Sequence, residues 1–214
     1  MIYSFYKELL DKYGKQGWWP LLDLQDNNSC LSENMRGYHP GNYSYPKTRK
    51  QRFEICVGAI LTQNTSWQNV EKALINLNEK CLLSPAKILE SSPEKLKEAI
   101  RSAGYFNQKA KKLMVFSQFF LQLIQNPKRD ELLNLWGIGP ETADSILLYA
   151  YNEPVFVVDT YTKRIFSGLS LINGYENYEY IRELFENNLP RDYRIFQEYH
   201  ALIVEHSKNL KKNH

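Results

Sequence analysis

The sequence predicts an all-α protein, and three observations carry that prediction. Apolar residues recur at spacings of three and four over most of the 214 residues, as they do on one face of a helix. Alternating apolar and polar runs, which are typical of strands, are nearly absent. Serine precedes proline at Ser84-Pro85 and Ser92-Pro93, the pattern of an N-cap followed by the first helical position. We therefore expect helices joined by short breaks.

The elements are predicted in order along the chain. Residues 2–14 indicate an amphipathic helix that ends at Gly14, and residues 17–48, with three of the nine prolines and three of the ten glycines, indicate an irregular connection. Two apolar stripes then predict helices between about residues 50 and 77. Further helices are expected after Tyr105, from Pro140 to about Tyr151, near Asp159, near Tyr178 and over residues 192–209.

Composition narrows the class of protein. A net charge of +3 excludes a polyelectrolyte tail but allows a local basic patch. No apolar run reaches 18 residues, and the first residues lack the layout of a secretory signal, so we expect no membrane association and a cytoplasmic location. The three cysteines (Cys30, Cys56 and Cys81) are odd in number and widely spaced, and the histidines form no i, i+4 pair, which makes a disulfide framework or a helix-borne metal site improbable.

The most informative segment lies between residues 132 and 150. Gly137 and Gly139 bracket Ile138, and Pro140 begins the next helix. Two glycines at this spacing permit a tight turn and the close approach of another molecule. The amides and dipole of the following helix N-terminus suit an anion such as phosphate. A simple corner between two helices is the alternative.

Three motifs together resemble one known family. The stretch L-W-G-I-G-P-E-T-A-D from Leu135, followed by V-V-D-T ending at Thr160, resembles the helix-hairpin-helix and Gly/Pro-Asp loop of the endonuclease III superfamily of DNA glycosylases. The stretch V-G-A-I-L-T-Q-N-T, residues 57–65, resembles the superfamily's L-L-S-x-Q-x-T segment. The stretch G-Y-F-N-Q-K-A, residues 104–110, resembles its G-x-Y/F-N-x-K-A turn. The resemblance implies two helical lobes around a DNA-binding cleft.

The resemblance also implies a division of labour among residues. Asp159 would be the essential carboxylate, because breaking an N-glycosidic bond builds positive charge on the deoxyribose and a fixed anion stabilises that charge. The alternative for Asp159 is a helix N-cap, and one side chain can serve both roles. The amides of the hairpin would hold a DNA phosphate without reading sequence.

The chain departs from the family pattern at two places. Members that also cleave the strand carry a lysine nucleophile where this sequence has Glu141, and a carboxylate cannot form an imine. We therefore predict base excision by water without strand cleavage, although Lys163 is a candidate substitute amine. Many relatives end with four cysteines that hold an iron–sulfur cluster, but no cysteine follows Cys81, so no such cofactor is expected.

Within the superfamily, the chain is most similar to the endonuclease III-like 3-methyladenine DNA glycosylases. The shared features are Trp18-Trp19-Pro20, Gln63-Asn64-Thr65, Glu141 and the end of the last helix around Lys208. An aromatic wall suits an electron-poor alkylated purine, because stacking and cation–π attraction bind it. The residues expected around the extruded base are Trp18, Trp19, Pro20, Trp67, Glu141 and Lys208. Packing between helices is the alternative role of each tryptophan.

Other residues are expected to contact DNA or a cation. Gln63 would fill the gap that the extruded nucleotide leaves. The remaining candidates for DNA contact are Asn64, Gly137, Ile138, Gly139, Thr142, Lys109 and Lys163, with Arg49, Lys50, Lys111 and Lys112 as further basic residues. The family resemblance also implies a monovalent cation held by the backbone carbonyls of Leu133, Leu135 and Ile138.

These expectations combine into one hypothesis. Residues 49–152 would form a helical bundle with the hairpin, and residues 1–48 with 153–214 would form the second lobe. The protein would act as a monomer on double-stranded DNA and excise alkylated purines such as 3-methyladenine. A glycosylase for a deaminated, mismatched or oxidised base is the first alternative. A non-catalytic hairpin module that only binds DNA is the second.

Overall fold

The computed structural model describes residues 1–24 and 37–212, without the side chains of residues 211 and 212. Within that part of the chain it contains α-helices and short 3-10 turns but no strand, so the predicted all-α class is confirmed. The helices are α1 Ile2–Tyr13, α2 Arg49–Leu61, α3 Trp67–Glu79, α4 Pro85–Glu90, α5 Pro93–Ala99, α6 Phe106–Gln122, α7 Arg129–Leu133, α8 Pro140–Tyr151, α9 Thr160–Gly168, α10 Tyr178–Asn188 and α11 Tyr193–Lys212.

Helix α2 is the centre of the first group of helices. It packs against α3, α6 and α8, and it is buried from Phe53 to Leu61 without interruption. Thr48 caps its N-terminus through a reciprocal pair of bonds with Gln51, which satisfies backbone groups that the helix cannot pair itself. The buried Glu54 accepts a 2.7 Å hydrogen bond from the Leu22 amide. This bond ties the N-terminal segment, which carries the tryptophan pair, to the central helix.

Helix α11 organises the second group, because it packs against α1, α8 and α9. The Tyr199 hydroxyl donates a 2.8 Å hydrogen bond to the Ile2 carbonyl, and rings of Phe156, Phe166 and Phe185 surround Tyr199. The first and last helices therefore pack together, as the predicted second lobe requires. Buried apolar residues form a continuous core through both groups. The division into lobes at residues 49 and 152 stays a prediction.

Several local predictions are refined by the structure. The apolar run 155–158 is buried outside any helix, and it leads directly to Asp159. Ser92 caps α5 by accepting a hydrogen bond from the Lys95 amide, but the Ser84 side chain makes no such bond at α4. Cys30 lies outside the described residues. None of the described helices is long and apolar enough to cross a membrane.

Candidate active site and DNA interface

Asp159 lies at the start of α9 and is 9% exposed. Its Oδ1 accepts hydrogen bonds from the Thr162 amide at 2.7 Å and the Thr162 hydroxyl at 2.9 Å. Burial alone would raise the pKa of this carboxyl, but the nearby His200 and the bonds from Thr162 outweigh it and hold the pKa below its ordinary value. Asp159 is therefore an N-cap and a buried anion at once, with Oδ2 left outside the cap.

His200 faces that second oxygen from α11. Its Nε2 lies 3.4 Å from Oδ2 of Asp159, which is ion-pair distance but longer than a hydrogen bond. Its Nδ1 lies 2.7 Å from the Tyr149 hydroxyl on α8. The three side chains thus form a buried row that joins α9, α11 and α8.

Glu141 lies in the first turn of α8 beside this row. Its side chain reaches solvent, yet the surrounding protein and then the charge of Asp159 raise its pKa, while His200 and Lys163 act in the opposite direction. Two carboxyls with oppositely shifted pKa values thus lie at the meeting point of α8 and α9. Lys163 is half-buried and close enough to Glu141 to affect its charge, so the structure places this predicted residue near Asp159.

Four aromatic side chains form a cluster next to His200. Trp18 meets the His200 ring edge-on with ring centres 5.7 Å apart, and Trp19 meets Trp67 edge-on at 5.3 Å. These rings, with Pro20 and Tyr38, line a gap of only about 10 Å³, room for about one water molecule. The three predicted tryptophans and Pro20 are therefore brought together, and Tyr38 joins them. A base can enter only if these side chains move.

Two further features affect the aromatic cluster. A Cβ atom on Gly58 of α2 would lie 3.0 Å from the Trp19 indole nitrogen, so a larger residue there would require Trp19 to shift. Lys208, predicted at the rim of the base pocket, is exposed two turns beyond His200 on α11 and does not line the gap among the tryptophans. Its assignment to the pocket stays a prediction.

The hairpin between α7 and α8 has the predicted turn. The Ile138 amide donates a 3.1 Å hydrogen bond to the Leu135 carbonyl, so this amide is already used within the turn and the Ile138 side chain is buried. Gly139 is the N-cap of α8, and no side chain caps the helix. A Cβ on Gly139 would have no neighbour within 4 Å, so the N-terminus of α8 is open to another molecule. Of the predicted hairpin amides, that of Gly139 is the better placed.

Gln63 links the hairpin to α6. Its amide nitrogen donates hydrogen bonds to the Gly137 carbonyl at 3.1 Å and to the buried Thr142 hydroxyl at 2.9 Å, and its oxygen accepts from Lys112. The predicted insertion of Gln63 into DNA would break these bonds, so in the free protein the residue instead supports the hairpin. The Thr142 side chain is likewise buried and bonded to Gln63, and its predicted contact with DNA stays a prediction.

Lys109 requires a correction. We expected it to contact a phosphate, but its side chain is only 2% exposed and its ammonium group donates to three acceptors, the carbonyls of Leu61 and Ala103 and the Thr65 hydroxyl. Burial, and to a lesser degree the charge of Lys112, lowers the pKa of Lys109 to about 8. The lysine joins the end of α2 to the turn before α6, a structural role in place of the predicted one.

A polar hollow of about 180 Å³ opens beside Gln63. It is lined by Gln63, Asn64, Tyr105, Gln108, Lys109 and Lys112. Tyr105 has a left-handed backbone conformation and is 68% exposed. Nearby, Lys111 lies 4.3 Å from the ring centre of Trp136 in the hairpin. These features place exposed aromatic and basic groups on one side of the open helix N-terminus.

Two other basic residues predicted to face DNA have different surroundings. Arg49 donates a 2.7 Å hydrogen bond to the Phe120 carbonyl, which satisfies the C-terminal end of α6. Lys50 is exposed. The contribution of either residue to DNA binding stays a prediction.

The predicted cation site fits the chemistry of the hairpin. The carbonyl of Leu133 lies in the last turn of α7, where carbonyls lack a partner within the helix, and that of Leu135 has one lone pair in use. With Ile138, these carbonyls are a donor set that suits a monovalent cation, and the site stays a prediction. Among the described residues, no group of three or more His, Cys, Asp or Glu could hold a metal ion.

Sequence reasoning missed four residues of this site. Tyr38 belongs to an irregular segment that gives no spatial information, and His200 with Tyr149 belong to helices whose relative rotation no short motif records. One signal was present for Tyr105, because it occupies the variable position after Gly104 in the third motif.

Comparison with known proteins is consistent with this geometry. Residues 57–191 match the model of the HhH-GPD superfamily of base excision DNA repair proteins. A Methanocaldococcus jannaschii protein that is provisionally named a DNA repair glycosylase is 46% identical over 98% of this chain and 88% of its own. Endonuclease III of Thermotoga maritima is 29% identical over 69% of this chain and 71% of its own.

Two solved structures are similar over nearly the whole chain. The H. pylori 3-methyladenine DNA glycosylase MagIII, bound to 1,N6-ethenoadenine, superposes with a TM-score of 0.75 at 28% identity and covers 98% of both chains. An endonuclease III–DNA complex superposes with a TM-score of 0.70 at 19% identity over 95% of this chain and 82% of its own, a likeness of fold alone. The protein belongs to the HhH-GPD superfamily of base excision DNA repair glycosylases.

Proposed function

We propose that the protein is a DNA glycosylase that excises alkylated purines, with 3-methyladenine as the favoured substrate class, by hydrolysis. The single observation that carries the proposal is the ionised, buried Asp159 beside the aromatic cluster of Trp18, Trp19, Trp67 and Tyr38. The first group suits the sugar and the second suits the base, and the two meet at His200.

The chemistry assigned to Asp159 follows from the charge that the reaction creates. As the C1′–N bond breaks, the base departs with the electron pair and the sugar becomes positive. Water then forms the new bond to C1′ and loses a proton, which Asp159 accepts and passes to solvent. Oδ1 is held by Thr162, so Oδ2 is the oxygen that faces the sugar and the water. A preorganised anion of this kind contributes about 10²–10³ to the rate.

The preference for alkylated purines rests on the aromatic cluster. An electron-poor base gains about 0.5–2 kcal/mol from each ring that it stacks on. The gap among the rings must widen for the base to enter, and a base that is already poorly stacked in DNA supplies the easiest entry. Similarity to MagIII, whose structure contains 1,N6-ethenoadenine, supports the same class of substrate.

We also propose that excision occurs without strand cleavage. Glu141 stands where related enzymes that cleave the strand carry a lysine, and its carboxyl cannot attack the sugar to form an imine. Lys109, the most buried lysine of the described residues, is engaged with three acceptors and cannot serve instead. Lys163 is the lysine whose charge acts to lower the pKa of Glu141, so it is the candidate amine at this site.

DNA is held, in this proposal, at the open N-terminus of α8. The uncapped amides after Gly139 bind one phosphate, with Lys111 and Lys112 beside them. Exposed Tyr105 and the neighbouring Gln63 face the duplex around the polar hollow. The protein acts as a monomer on double-stranded DNA, because one site with one hairpin suffices for one lesion.

The decisive experiment treats duplex DNA with dimethyl sulfate and measures released bases by chromatography. We expect 3-methyladenine to be released by the parent protein, and about 10³-fold more slowly by Asp159→Asn although that variant still binds DNA. Binding without release by the parent would support a hairpin module instead. Release only from DNA that carries uracil, mismatches or 8-oxoguanine would assign another lesion.

Borohydride trapping on DNA with an abasic site tests the second part of the proposal. We expect no covalent complex, because imine formation needs a free amine at the sugar. Efficient capture would refute hydrolysis without strand cleavage. Comparison with Lys163→Met then shows whether Lys163 is the amine.

A further inference from the structure

His200 occupies an unusual position for a structural histidine. It is 5% exposed, and its two ring nitrogens face two different elements, Asp159 at the start of α9 and Tyr149 on α8. The Nε2 has no hydrogen-bond partner among the described residues and lies 3.4 Å from Oδ2 of Asp159. Leaving a buried polar atom unpaired is costly, so its position next to the reacting oxygen needs an explanation.

The Tyr149 hydroxyl bears on which ring nitrogen of His200 carries a proton. It lies 2.7 Å from Nδ1 and 3.2 Å from the Gln197 carbonyl. If the hydroxyl donates to Nδ1, the neutral imidazole carries its proton on Nε2. If it donates to Gln197 instead, Nδ1 carries the proton and donates to the tyrosine oxygen, and the neutral ring then faces Oδ2 with the bare lone pair of Nε2. Because that arrangement sets a lone pair against a carboxylate oxygen, the arrangement in which Tyr149 donates to Nδ1 is favoured, and it directs an Nε2–H at Oδ2.

We propose that His200 is a positioning residue that orients the second oxygen of Asp159 for the reaction, with Tyr149 holding the imidazole. This inference rests on the proposed function. Thr162 and His200 then divide the carboxylate between them, one oxygen each. The 3.4 Å separation shortens to a hydrogen bond when DNA closes the site, as gaps between catalytic groups commonly do on substrate binding.

The same ring touches the wall of the aromatic cluster. Trp18 meets His200 at an interplanar angle of 90°, and it also packs against Tyr149 with ring centres 6.3 Å apart. Movement of Trp18 to admit a base therefore changes the packing of the ring that orients Asp159. The consequence is that occupancy of the base site and orientation of the carboxylate are coupled through His200.

Charged and titratable groups face this row from each neighbouring helix. They are Asp159 and Lys163 on α9, Glu141 and Tyr149 on α8, and Glu198 on α11, which acts on Tyr149. The pKa of Asp159 is lowered in part by His200, whereas burial acts to raise it. Loss of the His200 contact should therefore move ionisation of Asp159 to higher pH.

The chain supplies a matched control on the same helix. His206 also lies on α11, and its Nδ1 is 2.8 Å from a tyrosine hydroxyl, that of Tyr13, with the Phe5 ring edge-on at 5.8 Å. Thus His200 and His206 have similar bonds and aromatic neighbours, but only His200 faces Asp159. Three variants follow from this pair: His200→Asn, His200→Gln and His206→Asn. Asparagine reaches the place of Nδ1 only, whereas glutamine can return an amide donor to the place of Nε2.

The experiment measures single-turnover release of 3-methyladenine from dimethyl-sulfate-treated duplex DNA between about pH 5 and pH 8, a range above the ordinary pKa of aspartate. We expect His200→Asn to lose about 10- to 100-fold, the effect of one hydrogen bond to a charged group. The loss should grow toward pH 5. We expect His200→Gln to regain part of the rate and His206→Asn to keep the parent rate and profile. Because His200 also acts to lower the pKa of Glu141, the comparison is repeated with Glu141→Gln in every variant, so that Glu141 adds no titration of its own.

The outcomes separate this inference from the proposed function. No release by the parent protein would overturn the proposed function itself. An active parent with His200→Asn and His206→Asn alike in rate and pH profile would overturn the role of His200. Thermal unfolding of all three variants accompanies the rates. If His200→Asn is slow only because it unfolds, its rate is compared with the parent rate at a temperature where it is folded. A loss that then does not grow toward pH 5 also counts against the inference.

Discussion

The N-termini of α8 and α9 are built in opposite ways. Gly139 begins α8 with no capping side chain and with open space around it, whereas Asp159 begins α9 with a buried carboxylate bound to the Thr162 amide. Both ends carry the positive pole of a helix. One pole is left for a ligand, and the other is already neutralised by the protein.

Under the proposed function, this difference lets one small protein attract a polyanion and still keep an anion at the carboxylate assigned to the reaction. An uncapped N-terminus binds phosphate, which comes from outside. A capped one holds its own carboxylate ionised despite burial, because the helix and His200 favour the charge. In the proposed function, the first end therefore serves binding and the second serves the chemistry. Substitutions that make the two ends alike should abolish one function at a time.

The largest effect is expected from Asp159→Asn. Asparagine is an equally good N-cap, so α9 should remain intact and thermal unfolding should change little. The anion is lost, and we expect release of 3-methyladenine to fall about 10³-fold, as for removal of one preorganised group. Base release and DNA binding are measured on the same preparation. Release near the parent rate would show that the capping role of Asp159 is its only role.

The next largest effect concerns Lys109, the buried lysine that joins the end of α2 to the turn before α6. Lys109→Met leaves the carbonyls of Leu61 and Ala103 without their donor, and we expect a loss of about 1–3 kcal/mol in the free energy of unfolding. Lys112→Met is the matched control, because Lys112 contacts Gln63 nearer to the surface. It should cost little stability but weaken DNA binding and lower its salt dependence.

Urea unfolding and DNA binding at two salt concentrations separate the two lysines. If Lys109→Met changed the salt dependence as Lys112→Met does, the original prediction of a phosphate contact at Lys109 would be restored. If Lys109→Met kept the parent stability, the buried ammonium would not support the junction between the end of α2 and the turn before α6.

A smaller effect should follow when α8 is made to resemble α9. Gly139→Asp supplies an internal anion at the open end, and we expect DNA binding to weaken about tenfold through loss of one phosphate contact. Gly139→Asn caps equally well without charge and should weaken binding less. Fluorescence anisotropy with an undamaged duplex measures both. Equal affinity of the two variants would mean that the phosphate does not bind at this end.

Much of this fold was predictable from local sequence. Helix α8 begins at Pro140 and ends at Tyr151 as predicted, because residues close together in the sequence determine its start and its apolar face. Helix α2 was less predictable, since its stripe indicated one buried face whereas tertiary packing buries nearly all of it, including Glu54. The carboxylate at Asp159 was found from its motif, and its N-cap role from its position before α9.

Predictions failed where a residue's surroundings come from distant segments. Lysine is usually a surface residue, and only the fold shows that backbone carbonyls surround the ammonium group of Lys109. His200 is separated from Asp159 by 41 positions, so helical spacing says nothing about their contact. Tyr38 joins the tryptophans through an irregular segment in which no periodicity fixes side-chain direction.

The smallest expected effect is a difference in how pH acts on the two helix ends. Asp159 has a folded pKa below its unfolded value, so its contribution to stability is complete above about pH 4 and is lost as pH falls through the folded pKa. Glu141 has a folded pKa above its unfolded value, so its contribution declines as pH rises from about 4 through the folded pKa. Urea unfolding of the parent, Asp159→Asn and Glu141→Gln between about pH 3 and pH 7 covers both windows.

The difference in free energy of unfolding between the parent and Asp159→Asn should therefore increase as pH rises. The difference between the parent and Glu141→Gln should change in the opposite direction. Opposite slopes are required because helix and histidine favour one charge while burial and a neighbouring carboxylate oppose the other. Parallel slopes would mean that the two carboxyls share one environment. In that case Asp159 at the start of α9 and Glu141 at the start of α8 would have the same electrostatic environment. The assignment of binding to one helix end and of chemistry to the other would then fail.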